Sequence, residues 1–254
     1  MPYTVKRFGW LPDLPDVRDH RYSAPLRTLG KLPPRIDLTP GCPPVYDQGA
    51  LGSCTGNAIA GAIEFAERKL RLPHPATPSR LFIYYNERAI EHTVRVDSGA
   101  MIRDGIKSVN KQGACRETTW PYVIPKFDDR PSRAAYAEAV RHRAVGYRRV
   151  SRDANQMKGC LASGYPFVLG FTVYESLMSD AVARTGTLSM PRRGERVEGG
   201  HAVLAVGYDD GRRRFVVRNS WGPRWGRKGY FTMPYAYLLE ENLADDFWTI
   251  RIVE

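Results

Sequence analysis

Cysteine is scarce in this sequence. The 254 residues include four cysteines, at positions 42, 54, 115 and 160. Four are too few for a fold held together by disulfides, and none stands in the paired C-x-x-C spacing of a zinc site. We therefore expect no structural metal.

The sequence also lacks a segment that would attach the chain to a membrane. No uncharged apolar run is long enough to span a bilayer, and the first twenty residues lack the apolar centre of a signal peptide. We expect no membrane contact and, by default, a cytoplasmic location. Removal of a leader segment from the chain would leave the compartment open.

Positive charge dominates, since 38 lysines and arginines against 27 aspartates and glutamates give a formal net charge of +11. Such a balance favours acidic partners, nucleic acid among them. The basic residues are scattered, and no nucleic-acid-binding motif accompanies them. We expect no specific nucleic-acid recognition, and that alternative rests on charge alone.

The chain divides into an N-terminal arm and a compact body. Residues 1–31 are rich in proline and charge and follow no helical or strand period, which predicts an extended arm. Residues 32–254 are predicted to form one domain, in which helical patterns come first and short strands follow. The predicted helices are 54–70, 79–89, 101–111, 133–140 and 153–162, and the predicted strands are 167–171, 202–208, 214–217 and 229–233. This order is typical of an α+β protein with a helical lobe, a sheet lobe and a ligand cleft between them.

Cys54 stands between a glycine-rich turn and the first predicted helix. The first turn of a helix favours negative charge, so a thiol there is more readily a thiolate. Glycines at 49 and 52 permit a close backbone approach, and the Cys54 N–H and the Gln48 amide could both point at an oxyanion. Cys54 alone is equally compatible with a small buried structural residue.

A second region of the sequence favours the catalytic interpretation of Cys54 over the structural one. His201 opens a predicted strand, and Asn219 lies on the next strand across a turn. A catalytic imidazole needs a third group that fixes its tautomer and ring plane, and Asn219 is well placed for that role.

Together these residues resemble the papain-like (C1) cysteine peptidases. Gln48, Cys54, His201 and Asn219 match that family's oxyanion, nucleophile, base and orienting positions in order, and residues 219–230 follow its N-S-W-G-x-x-W-G-x-x-G-Y pattern. The segment LGSCT and the arm sequence GWLPDLPDVRD resemble the bacterial, xylellain-like branch. The resemblance runs from about residue 32 onward. It implies a papain-like two-lobed fold, with an N-terminal helical lobe and a C-terminal antiparallel sheet or barrel lobe.

The resemblance implies a thiol endopeptidase that needs no cofactor and acts on protein or peptide substrates through a thioester intermediate. Two alternatives stay open. The same cysteine and histidine could transfer acyl groups to an amine, or the fold could serve as a binding module without turnover.

Two positions depart from the family's C-G-S-C-W segment. Leu51 replaces the first cysteine, so the disulfide it normally makes is absent, and Thr55 replaces the tryptophan, which opens space beneath the helix start. Among the remaining cysteines we favour a pairing of Cys42 with Cys115, although three free thiols are about as compatible with the sequence.

The resemblance also implies the residues that contact substrate. Ser98 and Gly99 stand at the position of the family's Gly-Gly strand, where a missing side chain lets a substrate backbone approach; Gly99 keeps this feature and Ser98 replaces the other glycine. Gly170 lies near the pocket for the residue two before the cleaved bond, and Gly200 and Trp221 complete the set. Trp221 is also implied to cover the hydrogen bond between the histidine and the asparagine. We expect a monomer.

The arm is open to two interpretations. Its aromatic residues Phe8 and Trp10 and its Pro-Asp repeats suggest a regulatory segment that lies along the body or across the cleft and inhibits the enzyme. A surface extension without a role is equally compatible with the sequence.

Overall fold

The computed structural model describes residues 8–72 and 75–253. The helices are α1 (Leu26–Leu29), α2 (Cys54–Lys69), α3 (Arg80–Ile90), α4 (Ile102–Lys111), α5 (Arg133–Ala139), α6 (Ala154–Ala162), α7 (Asp180–Thr185) and α8 (Tyr235–Leu239). The strands are β1 (Trp10–Leu11), β2 (Arg35–Asp37), β3 (Ala100–Met101), β4 (Ala144–Arg149), β5 (Phe167–Tyr174), β6 (Val197–Asp209), β7 (Arg214–Arg218), β8 (Tyr230–Pro234) and β9 (Ala244–Val253).

The main sheet is antiparallel and belongs to the second half of the chain. Its strands follow the order β4-β9-β5-β6-β7-β8, and β2 pairs with β6 beside this path. Helices α2, α3 and α4 pack together as the helical lobe. The predicted α+β, two-lobed fold class is confirmed.

Helix α2 joins the two lobes. Its alanine stripe is buried, and the helix packs against β6, β9 and β5 on one side and α3 and α4 on the other. Gly56 is required for the close approach to α3, because a β-carbon there would lie 2.8 Å from the Arg80 carbonyl oxygen. The packing places Cys54, the first residue of α2, where the lobes meet.

The central strands alternate between two cores, as a strand buried on both faces must. In β5, Leu169 and Phe171 face a core formed by the sheet, the described part of the arm and α6. Val168 faces the opposite core, which contains the apolar face of α2. Strand β6 alternates in the same way, with Ala202 and Leu204 turned toward α2. This alternation fixes which side of the sheet carries His201.

The preferred pairing of Cys42 with Cys115 is wrong. All four cysteines are free thiols. Cys42 lies beside the α2 core, whereas Cys115 is buried with Phe82 and Ala135 in a separate cluster between α3 and α5. The two sulfurs therefore belong to different parts of the helical lobe.

Strands β4 and β9 were not predicted. The apolar patterns of both segments are interrupted, by two arginines in β4 and by two aspartates and an arginine in β9. Strand β4 also lies between two helices, α5 and α6, in the part of the chain where helical patterns dominate. None of the helices within 8–72 and 75–253 is long and apolar enough to cross a membrane.

Candidate active site

Cys54 is completely buried at the start of α2. Its thiol is approached by three backbone groups, those of Ala202, Gly9 and Thr55, each of which favours the thiolate. Burial acts more strongly in the opposite direction and raises the pKa of the Cys54 thiol to about 12. With the arm in place, Cys54 is a neutral thiol.

His201 directly precedes Ala202 on β6, whose backbone contacts the Cys54 thiol, so the packing of β6 against α2 places the two residues in the same region of the cleft. The Nε2 atom of His201 lies 2.8 Å from the Asn219 side-chain oxygen. An amide oxygen only accepts, so Nε2 carries the proton and Nδ1 is left as the acceptor. Burial lowers the pKa of His201 to about 4, and the Asn219 hydrogen bond raises it less. The imidazole is therefore neutral as well.

Aromatic rings enclose this histidine. The indole of Trp221 stacks on the imidazole with ring centroids 4.9 Å apart and an interplanar angle of 27°. Phe8 of the arm packs against the same imidazole in a T-shaped arrangement, with ring centroids 6.1 Å apart. These rings exclude water from the His201–Asn219 hydrogen bond, which keeps the pair aligned in a low-dielectric setting.

Gln48 is tied to the segment that carries Asn219. Its backbone N–H donates to the Ser220 carbonyl at 2.8 Å, and its side-chain oxygen accepts from the Ser220 hydroxyl at 2.7 Å. The amide nitrogen donates to the Leu51 carbonyl at 2.9 Å. The structure thus fixes the Gln48 side chain on the turn before Cys54, with one of its two amide N–H groups engaged by that turn.

A buried acid hydrogen bonds Thr55, the residue that stands where the family has a tryptophan. The Thr55 hydroxyl donates to Glu87 Oε2 at 2.6 Å, and both residues are fully buried. Burial raises the pKa of Glu87 to about 8. Sequence reasoning missed Glu87, although its position four residues after the buried Ile83 places it on the apolar stripe of α3.

A small polar network within the helical lobe connects the turn before α2 to the segment before β3. Asp97 accepts from the Gly52 N–H at 3.1 Å and from the Tyr84 hydroxyl, and that hydroxyl accepts from the Gly99 N–H at 3.1 Å. The Ser98 hydroxyl donates to Thr93 and to the Gly99 carbonyl. The network holds the turn before Cys54 against the strand at Gly99.

The arm occupies the cleft. Strand β1 pairs with β3 in parallel, with Trp10 beside Ala100, and the Ala100 N–H donates to the Gly9 carbonyl at 2.8 Å. A β-carbon at Gly9 would lie 1.7 Å from the Gly52 carbonyl oxygen, and one at Gly99 would lie 2.3 Å from the Gly9 carbonyl oxygen. The backbone of the arm therefore runs directly over the turn that carries Cys54. Residues 1–7 of the predicted arm lie outside the described residues.

Two further predicted contacts, Gly170 and Gly200, face the same segment. A β-carbon at Gly170 would lie 2.0 Å from Trp10 Cε2, and one at Gly200 would lie 2.4 Å from the Trp10 carbonyl oxygen. The structure therefore gathers the predicted nucleophile, base and substrate contacts around the arm. Within the described ranges, no group of three or more His, Cys, Asp or Glu residues is arranged to hold a metal ion.

The sequence of residues 32–241 matches the family model of the papain family cysteine proteases. The chain belongs to this family. It is a peptide hydrolase of the cysteine protease class, and the predicted class is confirmed.

Relatives place this papain-family chain in the predicted branch. Xylellain, a cysteine protease from Xylella fastidiosa, shares 46% identity and a TM-score of 0.92, over 97% of this chain and 96% of its own. An uncharacterized peptidase C1-like protein of Acanthamoeba polyphaga mimivirus is 44% identical over 98% of this chain and 88% of its own. The digestive procathepsin L 3 of Tenebrio molitor shares the fold, with a TM-score of 0.72 at 20% identity over 91% of this chain and 73% of its own. The xylellain-like assignment is confirmed.

Proposed function

We propose that this protein is a cysteine endopeptidase in which Cys54 is the nucleophile, His201 the acid and base, and Asn219 the orienting group. The observation that carries the proposal is the position of His201, which hydrogen bonds Asn219 and directly precedes the β6 residue that contacts the Cys54 thiol. Its Nε2 is committed to Asn219 at 2.8 Å, while the next residue of β6, Ala202, hydrogen bonds the Cys54 thiol. The side of the ring that bears Nδ1 is left to exchange a proton with sulfur.

The reaction follows from these positions. His201 Nδ1 takes the thiol proton, and the Cys54 sulfur attacks the scissile carbonyl carbon. The oxyanion is held by the Cys54 N–H and by one N–H of the Gln48 amide, whose other N–H donates to the Leu51 carbonyl. His201 returns the proton to the leaving amine, which gives a thioester. Water, deprotonated by His201, then hydrolyses the thioester, releases the new carboxyl group and restores the thiol.

We further propose that the arm inhibits this site. Phe8 covers His201 and Trp221, Gly9 lies over the turn before Cys54, and Trp10 fills the space beside Gly170. These residues contribute to the burial that raises the pKa of Cys54 and lowers the pKa of His201, and burial favours the neutral form of both reacting groups. Two proteins that share this fold, the Tenebrio procathepsin and the ragweed protease Amb a 11, were likewise solved as proforms.

Covalent labelling separates the endopeptidase from the alternatives. We expect an epoxysuccinyl inactivator to label the Trp10→Ala chain at Cys54 alone, and Cys54→Ala to abolish labelling. The same chain should incorporate one oxygen atom from ¹⁸O-water into the new carboxyl terminus of a cleaved peptide. Labelling without cleavage would indicate a binding module, and product formed only with an added amine would indicate an acyl transferase.

A further inference from the structure

A small cavity lies between α2 and the strands β6 and β7, beside Asn219. It admits the centre of a water-sized sphere over about 10 Å³, which is room for one small ligand. Every residue that lines it is buried, and the walls include Ala58, Gly61, Ala202, Leu204, Arg218 and Asn219. A ligand there would therefore be held inside the protein, next to the residue that hydrogen bonds His201.

Two polar side chains of the cavity wall have an N–H group to spare. Among the described residues, Arg218 Nε and Asn219 Nδ2 have no hydrogen-bond partner, although the two residues are only 4% and 2% exposed. A β-carbon at Gly61 would lie 3.9 Å from Arg218 Nε, which places this nitrogen at the Gly61 wall. Buried donors without partners are costly, so the cavity favours a ligand that accepts hydrogen bonds.

The charge of Arg218 is not balanced by an acid of the described chain. Its guanidinium lies over the ring of Tyr46 at 4.5 Å, and the Tyr46 hydroxyl donates to Glu64 Oε2 at 2.5 Å. The other oxygen of Glu64 pairs with Arg68 at 2.8 Å. Arg80 lies over the same ring at 4.9 Å and pairs with a glutamate of its own. Three arginines thus share two carboxylates, and Arg218 is the arginine that is left over.

We propose that this cavity is a binding site for a monatomic anion of the halide class, held by Arg218 and Asn219. A water molecule could accept from both N–H groups, but it would leave the buried positive charge without a counter-charge. A halide ion accepts from both groups and balances the charge. The volume, which holds one small ligand, favours a halide over a phosphate or a carboxylate.

A halide at this place would also fix the orientation of the Asn219 amide. Asn219 Oδ1 accepts from His201 Nε2, and the opposite end of the amide, Nδ2, would donate to the anion. An amide turned over would place its oxygen against negative charge and withdraw the acceptor from the imidazole. The anion is therefore a positioning ligand, and this part of the inference rests on the proposed peptidase function.

Thermal unfolding of the unmodified chain tests for the site without any turnover. Sodium chloride is compared with sodium gluconate at equal ionic strength. Because a ligand that binds only the folded state stabilises it, we expect chloride to raise Tm by at least about 2 °C. In crystals of the full chain grown with bromide, an anomalous scattering peak should lie within hydrogen-bond distance of Arg218 Nε and Asn219 Nδ2.

Three variants locate the effect. Arg218→Met removes the charge and the Nε donor and should abolish the Tm shift, whereas Arg224→Met, at an exposed position, should retain it. Asn219→Asp should also abolish the shift, because its carboxylate replaces the Nδ2 donor and itself balances Arg218. If Arg218→Met fails to fold, Asn219→Asp decides. An equal shift in all chains, or crystals without the bromide peak, would overturn the inference.

Peptide hydrolysis by the Trp10→Ala chain measures the effect on His201. We expect chloride at constant ionic strength to raise kcat about 5- to 10-fold with KM unchanged, because the anion orients the imidazole and does not touch substrate. A kcat that is independent of chloride while Tm responds would overturn the positioning role. A Tm shift without cleavage at any chloride concentration would instead refute the proposed peptidase function and leave the anion site standing.

Discussion

A β-carbon added to Gly170 would lie 2.0 Å from Cε2 of Trp10, so the indole occupies the space that any side chain at position 170 would fill. Gly170→Ala should therefore displace the arm. We expect iodoacetamide at pH 7 to alkylate Cys54 at least about 10-fold faster in this variant than in the unmodified chain, because opening the cleft reverses the burial of the thiol.

Gly61→Ala is the matched control for that substitution. A β-carbon at Gly61 meets its nearest neighbour, Leu204 Cδ2, at an ordinary 3.6 Å, and the position lies within the same core. Its alkylation rate should equal that of the unmodified chain. Equal rates in both variants would show that Trp10 does not control access to Cys54.

Asn219 should affect the rate of peptide hydrolysis by orienting the imidazole of His201. In the Trp10→Ala chain, Asn219→Ala removes the acceptor for His201 Nε2, and we expect kcat/KM for peptide hydrolysis to fall roughly 100-fold. Asn219→Asp keeps an oxygen at that place and should retain more activity than the alanine variant. A loss of equal size in both would argue against the orienting role.

Glu87 should make stability fall with rising pH. Its pKa is raised from 4.5 to about 8 in the folded chain, so the folded state holds a proton that the unfolded state has released between these values. Its contribution is complete below pH 4.5 and is lost as the pH rises to 8, by on the order of 4 kcal/mol.

Glu87→Gln cannot titrate, so the variant should lack this part of the loss. Urea unfolding at pH 5 and pH 8 measures the difference between the two chains, in which other titrating groups cancel. Glu241→Gln, at an exposed position, is the control and should follow the unmodified chain. Parallel pH dependence in all three proteins would show that Glu87 is ionised in the fold.

All four cysteines should titrate as thiols. Ellman's reagent added to the unfolded chain without prior reduction should detect four thiols per molecule, because the structure holds each sulfur free. A count of two would show that one disulfide forms, which would contradict the four free thiols of the structure.

Local patterns in the sequence predicted much of the fold. The alanine stripe after Cys54 predicted α2 to within one residue, and the apolar runs at 167–171 and 202–208 predicted the two central strands, each of which extends further in the structure. The candidate site was recognised from the spacing of Cys54, His201 and Asn219, because the chemistry needs these residue types in that order.

Long-range contacts could not be predicted in this way. Trp10 and Asp246 are 236 residues apart in sequence, and nothing local at either position indicates the other. The pairing of β4 with β9 likewise joins segments whose own patterns are weak, since a β ladder is stabilised by its partner as much as by its sequence. The path of the arm through the cleft depends on both kinds of contact.

The most direct measurement of the central claim is the rate at which a mixed peptide library is cleaved by three forms of the full chain at pH 7. We expect the unmodified chain to cleave the library very slowly and the Trp10→Ala chain to cleave it at least about 10-fold faster. The Trp10→Ala chain with Cys54→Ala should show no cleavage. Cleavage that persists without Cys54, or no cleavage by any form while Cys54 is accessible to alkylation, would contradict the account.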